Sequence, residues 1–216
     1  MAINVGFWDE RYAEPGFAYG REPNRFLRRR LAAMPPGRLL LPGEGEGRNA
    51  VWAAEQGWQV TALDQSEVAV EKIRRHARER SVEVDARRVD LAAGVPDDLD
   101  GFDAIALIYV HLDPEIRTRV HRELARRLTP GGVLLVEAFA PDQLGRPSGG
   151  PPRRELLVNA DDLTADLAGV VSLRAVEELE VTLDEGRYHR GLASVVRLVA
   201  RAPSTDLTVS RNSSTA

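Results

Sequence analysis

The chain has 216 residues, 43% hydrophobic and 29% charged, with a formal net charge of −4; these values fit one globular domain with decorations and exclude a collagen, a disordered chain and a disulfide scaffold. It contains no cysteine and four histidines, which removes disulfides, cysteine-ligated zinc, iron–sulfur clusters and a cysteine nucleophile, and with no HExxH pair leaves no metal site to expect. The acidic balance also argues against a nucleic-acid partner.

Residues 1–35 read as an N-terminal helical segment, amphipathic over 7–33 and interrupted at Glu14-Pro15-Gly16 and near Pro23. Phe7, Trp8, Tyr12, Phe17, Tyr19 and Phe26 crowd into it, either as staples onto the domain or as a lid over a ligand. Pro35-Pro36-Gly37 ends the segment, and strands then alternate with helices in a domain over 36–202. Arg38–Leu41 reads as a strand, Gly43–Gly47 as a glycine-rich turn, and Arg48–Gln56 as a helix stopped at Gly57, the residue best suited to a left-handed helix end. Gln59–Leu63 is a second strand ending at Asp64, and Ser66 is set to cap a helix through about Arg80. Val82–Val89 is a third strand, ending at Asp90. Phe102–Val110 has the uninterrupted apolar run of a central strand covered on both faces. Asp113 and Pro114 suit an N-cap and a first-turn proline. Ile116, Val120, Leu124 and Leu128 then recur on one helix face, until Thr129-Pro130-Gly131-Gly132 stops it before a fifth strand, Val133–Ala138.

After that the pattern changes. Residues 141–158 form a long Pro/Gly/Arg-rich loop, a length that marks functional or mobile segments. Asn159 caps a short helix to about Ala168, Leu179–Leu183 alternates as a half-exposed strand, and Leu192–Arg201 returns as its hairpin partner. The tail, 203–216, is Ser/Thr/Asn-rich and expected to be disordered. Together these elements predict an α/β fold: a doubly wound, seven-stranded, mostly parallel sheet with a C-terminal antiparallel β-hairpin. Ligands of such sheets bind at the carboxyl ends of the strands. The longest apolar run, Ala104–Val110, falls far short of the ~20 residues that span a bilayer. The first residues lack a cationic-then-apolar leader, so the expectation is a cytoplasmic protein with no membrane partner.

The chemistry is concentrated in the first crossover. Glycines at Gly43, Gly45 and Gly47 allow a tight backbone and close ligand approach. The spacing is GxGxG, whereas a dinucleotide turn needs GxGxxG and has Arg48 here in its third position. Glu44 and Glu46 flank the glycines; they would repel a phosphate and favour a cationic ligand. Asp64 either accepts from both hydroxyls of a ribose, at roughly 1.5–3 kcal/mol per bond to a charged group, or faces the dipole of the following helix. Asp90 either accepts from an adenine amino group or ends in a plain surface turn. A ligand with adenine, ribose and a cationic centre but no phosphate is S-adenosylmethionine.

With those residues in view, the sequence resembles the class I S-adenosylmethionine-dependent methyltransferases over residues 36–202, and among them most closely the tellurite-resistance methyltransferases, with thiopurine methyltransferase more distant. The resemblance is carried by LLLPGEGEGRNA at 39–50, VTALDQS at 60–66, VDL at 89–91, LTPGG at 128–132 and the FWDERY and YGREPNRFL stretches at 7–12 and 19–27. It implies that Gly43, Gly45 and Gly47, with Glu44, Glu46 and Asn49, surround the methionine part of the cofactor. Asp64 and Gln65 would take the ribose, and Asp90 and Leu91 the adenine. The segment from Ile108 and Tyr109 to His111 would flank the cofactor and face the acceptor. Most class I enzymes carry an acid two residues before the first glycine, where this chain has Leu41; the amine then falls to Glu44, Glu46 or a backbone carbonyl.

Transfer to a small soft nucleophile, a thiol or a selenium or tellurium oxyanion, needs alignment and no base. Tyr12, Tyr19 and Tyr109 are aromatic faces for the sulfonium. His111 is either a base near neutral pH or a histidine bonded to loop backbone. His189 and Arg190, beside Tyr188 in the hairpin turn, either line the acceptor pocket or face solvent. Tyr19, His111, His189 and Arg190 are thus the candidate catalytic residues. Arg153 and Arg154 either attract an anionic acceptor or simply lie in the loop, and His76 and His121 fall within helices as structural residues. Two other readings use the same sheet plan: a non-catalytic S-adenosylmethionine-binding module and a nicotinamide-dependent oxidoreductase.

Overall fold

The computed structural model describes residues 5–204. Two helices, α1 (Val5–Ala13) and α2 (Arg25–Leu31), precede β1 (Arg38–Pro42), α3 (Arg48–Glu55), β2 (Gln59–Asp64), α4 (Glu67–Glu79), β3 (Asp85–Arg88), β4 (Phe102–Ile108), α5 (Pro114–Ala125) and β5 (Leu128–Phe139). Two 3₁₀ turns, Pro141–Gln143 and Arg154–Leu156, lead to α6 (Ala160–Leu167), β6 (Ser172–Asp184) and β7 (Arg190–Arg201). The seven strands form one sheet in the order β3-β2-β1-β4-β5-β7-β6. β1 to β5 pair in parallel, and β7 runs antiparallel between β5 and β6. The chain winds outward from β1 to β3, then returns to β4 on the other side of β1. That reversal opens a crevice over the carboxyl ends of β1 and β4, where such sheets bind ligands.

Alternation along the strands feeds two cores. Leu39 and Leu41 of β1, with Ala104, Ala106 and Ile108 of β4, face α2, α3 and α4 and pack with Phe26, Leu27, Ala50, Val70 and Ile73. Leu40, Ile105 and Leu107 face the opposite way, onto Val120 and Leu124 of α5 and Leu163 and Leu167 of α6. This period of two is what a sheet covered on both faces requires. Helix starts follow local chemistry. Ser66 accepts from the Ala69 N–H at the head of α4, and Asn159 with Asp162 forms a reciprocal capping box on α6.

Several expectations need correction. Asp113 precedes α5 as expected, but its side chain makes no cap and binds Arg153 at 2.8 Å instead. β3 is shorter than 82–89, and β6 is far longer than 179–183. Its first half, Ser172–Glu178, pairs with β7 although its residues are mostly exposed and show no alternation. α5 ends at Ala125, so Leu128 reaches the core from β5. There Leu128 pairs with Phe102 before the register slips to Ala104 and Val133, because the Phe102 amide bonds the Arg127 carbonyl and Thr129 Oγ1 bonds the Phe102 carbonyl. The 141–158 loop is tied down. Gln143 is buried, donates to Ser148 and to the Gly149 carbonyl, and accepts from the Ser194 amide at 2.8 Å; Leu156, Leu157 and Val158 are buried behind it. The expectation of a disordered tail falls on 205–216, outside the described residues.

Candidate functional site

The glycine turn leaves β1 at the crevice. Gly43, Gly45 and Gly47 have φ of +63°, +67° and +88°, a region costly for residues with a side chain. A Cβ at Gly43 would meet Val110 Cγ2 at 2.9 Å, and one at Gly45 would meet the Tyr12 hydroxyl at 2.9 Å. The carboxylates between the glycines are turned inward. Glu44 accepts from the Asn49 and Ala50 amides at 2.8 Å and from Asn49 Nδ2 at 3.1 Å, satisfying the head of α3. Glu46 accepts from Lys72 Nζ and from the Ala18 amide, both at 2.7 Å. Asp64 accepts from the Gly45 amide at 2.8 Å and the Ser66 amide at 2.9 Å. Burial pushes the Glu44 carboxyl up to about 7 and Asp64 up to about 6.

The N-terminal segment closes over this turn. Lys72 holds it through the carbonyls of Glu14 and Gly16 while bonding Glu46. Asp9 accepts from Ser66 Oγ, Tyr12 stacks on Trp8 at 5.5 Å, and Ala18 accepts at its carbonyl from the Arg187 and Tyr188 amides of the β6–β7 turn. The segment is thus stapled onto the domain beside the glycine turn.

Across the switch point, β4 ends in Tyr109, a bulky residue at φ +56°. That left-handed step is unusual for such a side chain and stores strain. It sends Val110 onto Gly43 and lays the Tyr109 ring on Phe139 of β5 at 4.6 Å. His189 meets Tyr109 edge-on at 4.6 Å and Tyr19 at 4.5 Å, and His111 stacks on the other side of Phe139 at 5.6 Å. Within this chamber the Tyr109 hydroxyl, His111 Nε2 and His189 Nδ1 are buried with no hydrogen-bond partner. Native interiors rarely leave such groups unmet. Its floor is a charged network. Arg48 binds Glu185 at 2.9 Å, Arg197 binds Glu137, and Asn24 bridges the two acids, donating to Glu137 at 2.6 Å and to Glu185 at 3.2 Å.

Comparison with known proteins adds a family to this geometry. Residues 40–132, which include the glycine turn, Asp64, Asp90 and the end of β4, match the family model of a methyltransferase domain. The matched stretch is similar to methyltransferase domains and covers less than half of the chain. The ubiquinone biosynthesis O-methyltransferase of Xanthomonas campestris pv. campestris is 36% identical over 110 residues, 50% of this chain and 45% of that protein. The chain thus spans less than half the length of that relative. Among solved structures, TehB from Haemophilus influenzae superposes with a TM-score of 0.69 at 15% identity, over 92% of this chain and 66% of that one. The N-methyltransferase NodS from Bradyrhizobium japonicum, in complex with S-adenosyl-L-homocysteine, does so at 0.67 and 15%, over 93% and 98%. At such identities the likeness is one of fold.

Around the matched stretch, most of the residues singled out in the sequence converge. Gly43, Glu44, Gly45, Glu46, Gly47, Asn49 and Asp64 form the turn and its supports. Asn49 faces inward, accepting from the Asn24 amide at 2.9 Å. Gln65 is half-buried and its carbonyl accepts from Arg88. Asp90 is exposed at the crevice edge and accepts from the Ala92 amide, and Leu91 and Ile108 are buried in the cores on either face. Tyr19, Tyr109, His111 and His189 meet in the chamber. Arg190 does not join them: its side chain is 75% exposed, 3.7 Å from Asp184. Arg153 pairs with Asp113, and Arg154 is exposed. His121 bonds Asp166 at 3.0 Å, and His76 packs on Phe17. Phe139, Glu137, Glu185 and Asn24 are chamber residues that the sequence reading missed. The charged Glu137 inside the apolar run of β5 was the available signal. No helix among the described residues is long and apolar enough to cross a membrane, and none of their His, Asp and Glu side chains cluster to hold a metal.

Proposed function

We propose that the chain is a methyltransferase that uses S-adenosylmethionine to methylate a small-molecule acceptor. One observation carries the reading: Val110 packs on Gly43, so a glycine cradle and an aromatic chamber with unmet polar atoms share a wall. The residues fit the cofactor. The three left-handed glycines keep the turn tight against Val110, Tyr12 and Ile73, Asp64 suits a ribose, and Asp90 lies just past β3 for the adenine. Glu44 and Glu46, expected to meet the cofactor amine, are instead engaged by the head of α3 and by Lys72. When bound, S-adenosylmethionine supplies a methyl on a cationic sulfur that departs as a neutral thioether. The chain's own work is to cover the site with Tyr12, to exclude water with the N-terminal segment and to hold the acceptor among the rings of Tyr19, Tyr109 and Phe139. Holding reactants in attack geometry is worth about 7–11 kcal/mol of a barrier. The acceptor is either the soft nucleophile expected from the sequence or a hydroxyl, as the name of the Xanthomonas relative suggests. Calorimetry with S-adenosylhomocysteine and transfer of labelled methyl to thiol, phenol, selenite and tellurite acceptors test the reading. It expects binding and transfer to at least one acceptor; absence of cofactor binding refutes it.

A further inference from the structure

The chamber carries information about the acceptor itself. His111 Nδ1 lies 3.1 Å from the Leu156 carbonyl. A carbonyl only accepts, so Nδ1 carries the hydrogen, and the neutral ring's lone pair sits on Nε2, the buried atom with no partner. Around it stand Phe139 from β5, His189 from the β6–β7 turn and the 154–156 turn, so the charged form of the ring is opposed by its surroundings. Burial, with His189 adding to it against the help of the Leu156 bond, brings the imidazole down to about 4. The cations near the chamber are already engaged. Arg48 binds Glu185, Arg197 binds Glu137, and Arg11 lies 3.6 Å over the Tyr188 ring while donating to Tyr19. An oxyanion entering here would bring only lone pairs to the lone pair on His111 Nε2 and would find these guanidiniums taken.

Resting on the methyltransferase reading, we infer that the acceptor enters as a neutral molecule with a protonated hydroxyl or thiol on a planar apolar body, and that His111 Nε2 receives its proton during transfer. The acceptor's oxygen or sulfur forms the new bond to the methyl carbon while its O–H or S–H proton passes to Nε2. The old carbon–sulfur pair stays with the departing thioether, and the imidazolium returns its proton to solvent. One positive charge thus shifts within the chamber and its total does not change. Selenium and tellurium oxyanions, expected from the sequence, are not acceptors on this reading.

Two measurements test it in the full-length protein. In ¹⁵N-histidine spectra, with the His111 signal assigned by its loss in His111→Gln, Nε2 should resonate as an unprotonated nitrogen at neutral pH. It should shift when phenol or benzyl mercaptan is added with S-adenosylhomocysteine, and stay put with tellurite. A protonated Nε2, or no response to either neutral probe, overturns the inference. In transfer assays, His111→Gln should lose ~100-fold or more with benzyl mercaptan, which is protonated at neutral pH. Added imidazole should restore part of the transfer lost in His111→Ala, because it supplies the missing base. A merely structural role for His111 predicts no such rescue, and absence of rescue overturns the proposal. If S-adenosylhomocysteine itself gives no binding heat, it is the methyltransferase reading that fails.

Discussion

At the scale of single residues, conformation and charge at the glycine turn make firm predictions. Gly45 sits at φ +67° under the Tyr12 hydroxyl. Gly45→Ala should cost about 1–2 kcal/mol from the left-handed backbone, with a further loss as Tyr12 is pushed aside. Urea denaturation reads the first effect, and weakened S-adenosylhomocysteine binding reads the second. Asp64 spans the turn and the head of α4, so Asp64→Ala should weaken cofactor affinity by about tenfold or more, as expected for a lost bond to a charged group. Burial lifts Asp64 to about 6 and Glu44 to about 7, so both are partly protonated just below neutrality. A sulfonium beside them favours the ionised forms. Binding of S-adenosylmethionine near pH 6–7 should release protons, and more of them than S-adenosylhomocysteine does. Calorimetry in two buffers of different ionisation enthalpy measures the difference; equal release by the two ligands would place the sulfonium elsewhere.

At the scale of elements, the N-terminal segment depends on one cation. Lys72 is the chain's only lysine, and it joins α4 to Glu46 of the glycine turn and to two carbonyls of the segment. Both partners of the ion pair are under a tenth exposed. Lys72→Met should destabilise by about 3–5 kcal/mol, because it leaves Glu46 buried without its charge partner. The Ala18 amide, bonded to Glu46, should then exchange faster. The double variant Lys72→Met/Glu46→Gln should recover part of the loss, since the uncompensated charge is gone. A similar knot joins α5 to α6, where Asp166 accepts from Arg117, Thr118 and His121. These contacts explain why α6, at the end of a long loop, stays docked on α5.

At the scale of the whole molecule, the buried acids set opposing pH slopes. For Glu185 burial pushes up, but the neighbouring His189 ring, 3.7 Å away, and the Arg48 guanidinium outweigh it and hold the carboxyl at about 2. For Asp166 burial is likewise outweighed, by the bonds from His121, Arg117 and Thr118, and its carboxyl lies well below the usual range. A carboxyl lowered on folding stabilises above its unfolded value and loses that contribution as pH falls toward the folded one. These two therefore weaken the fold below about pH 4. Glu44 and Asp64 are raised, so their contribution grows as pH falls from about 7 to about 4. His111, brought down to about 4 by burial, and His189 and His76, also lowered by burial, lose stability over the same range, so stability should change little in mildly acidic solution and fall steeply below about pH 4. Denaturation midpoints across pH would show a monotonic decline from neutrality instead if the raised pair were not buried as described.

Much of this architecture could be read in advance because it is local. A strand of period two, a glycine turn and a capped helix are specified by neighbours within about ten residues, so β1, the turn, α3, β2 and α4 stand where periodicity and caps put them. Asp64 and Asp90 could be located as strand ends for the same reason. What Asp64 holds in the free protein, and that Asn49 faces the N-terminal segment, could not be read, since both follow from which backbone amides come near. The chamber was least visible of all. Asn24 reaches Glu137 across 113 residues and Arg48 reaches Glu185 across 137. Those meetings exist because β4 lies beside β5 and β7 inserts next to β5, an order fixed by how the sheet buries its two faces. Side-chain patterns along a chain say which face a residue takes; the partner it finds there depends on strands far away in sequence, chosen by packing.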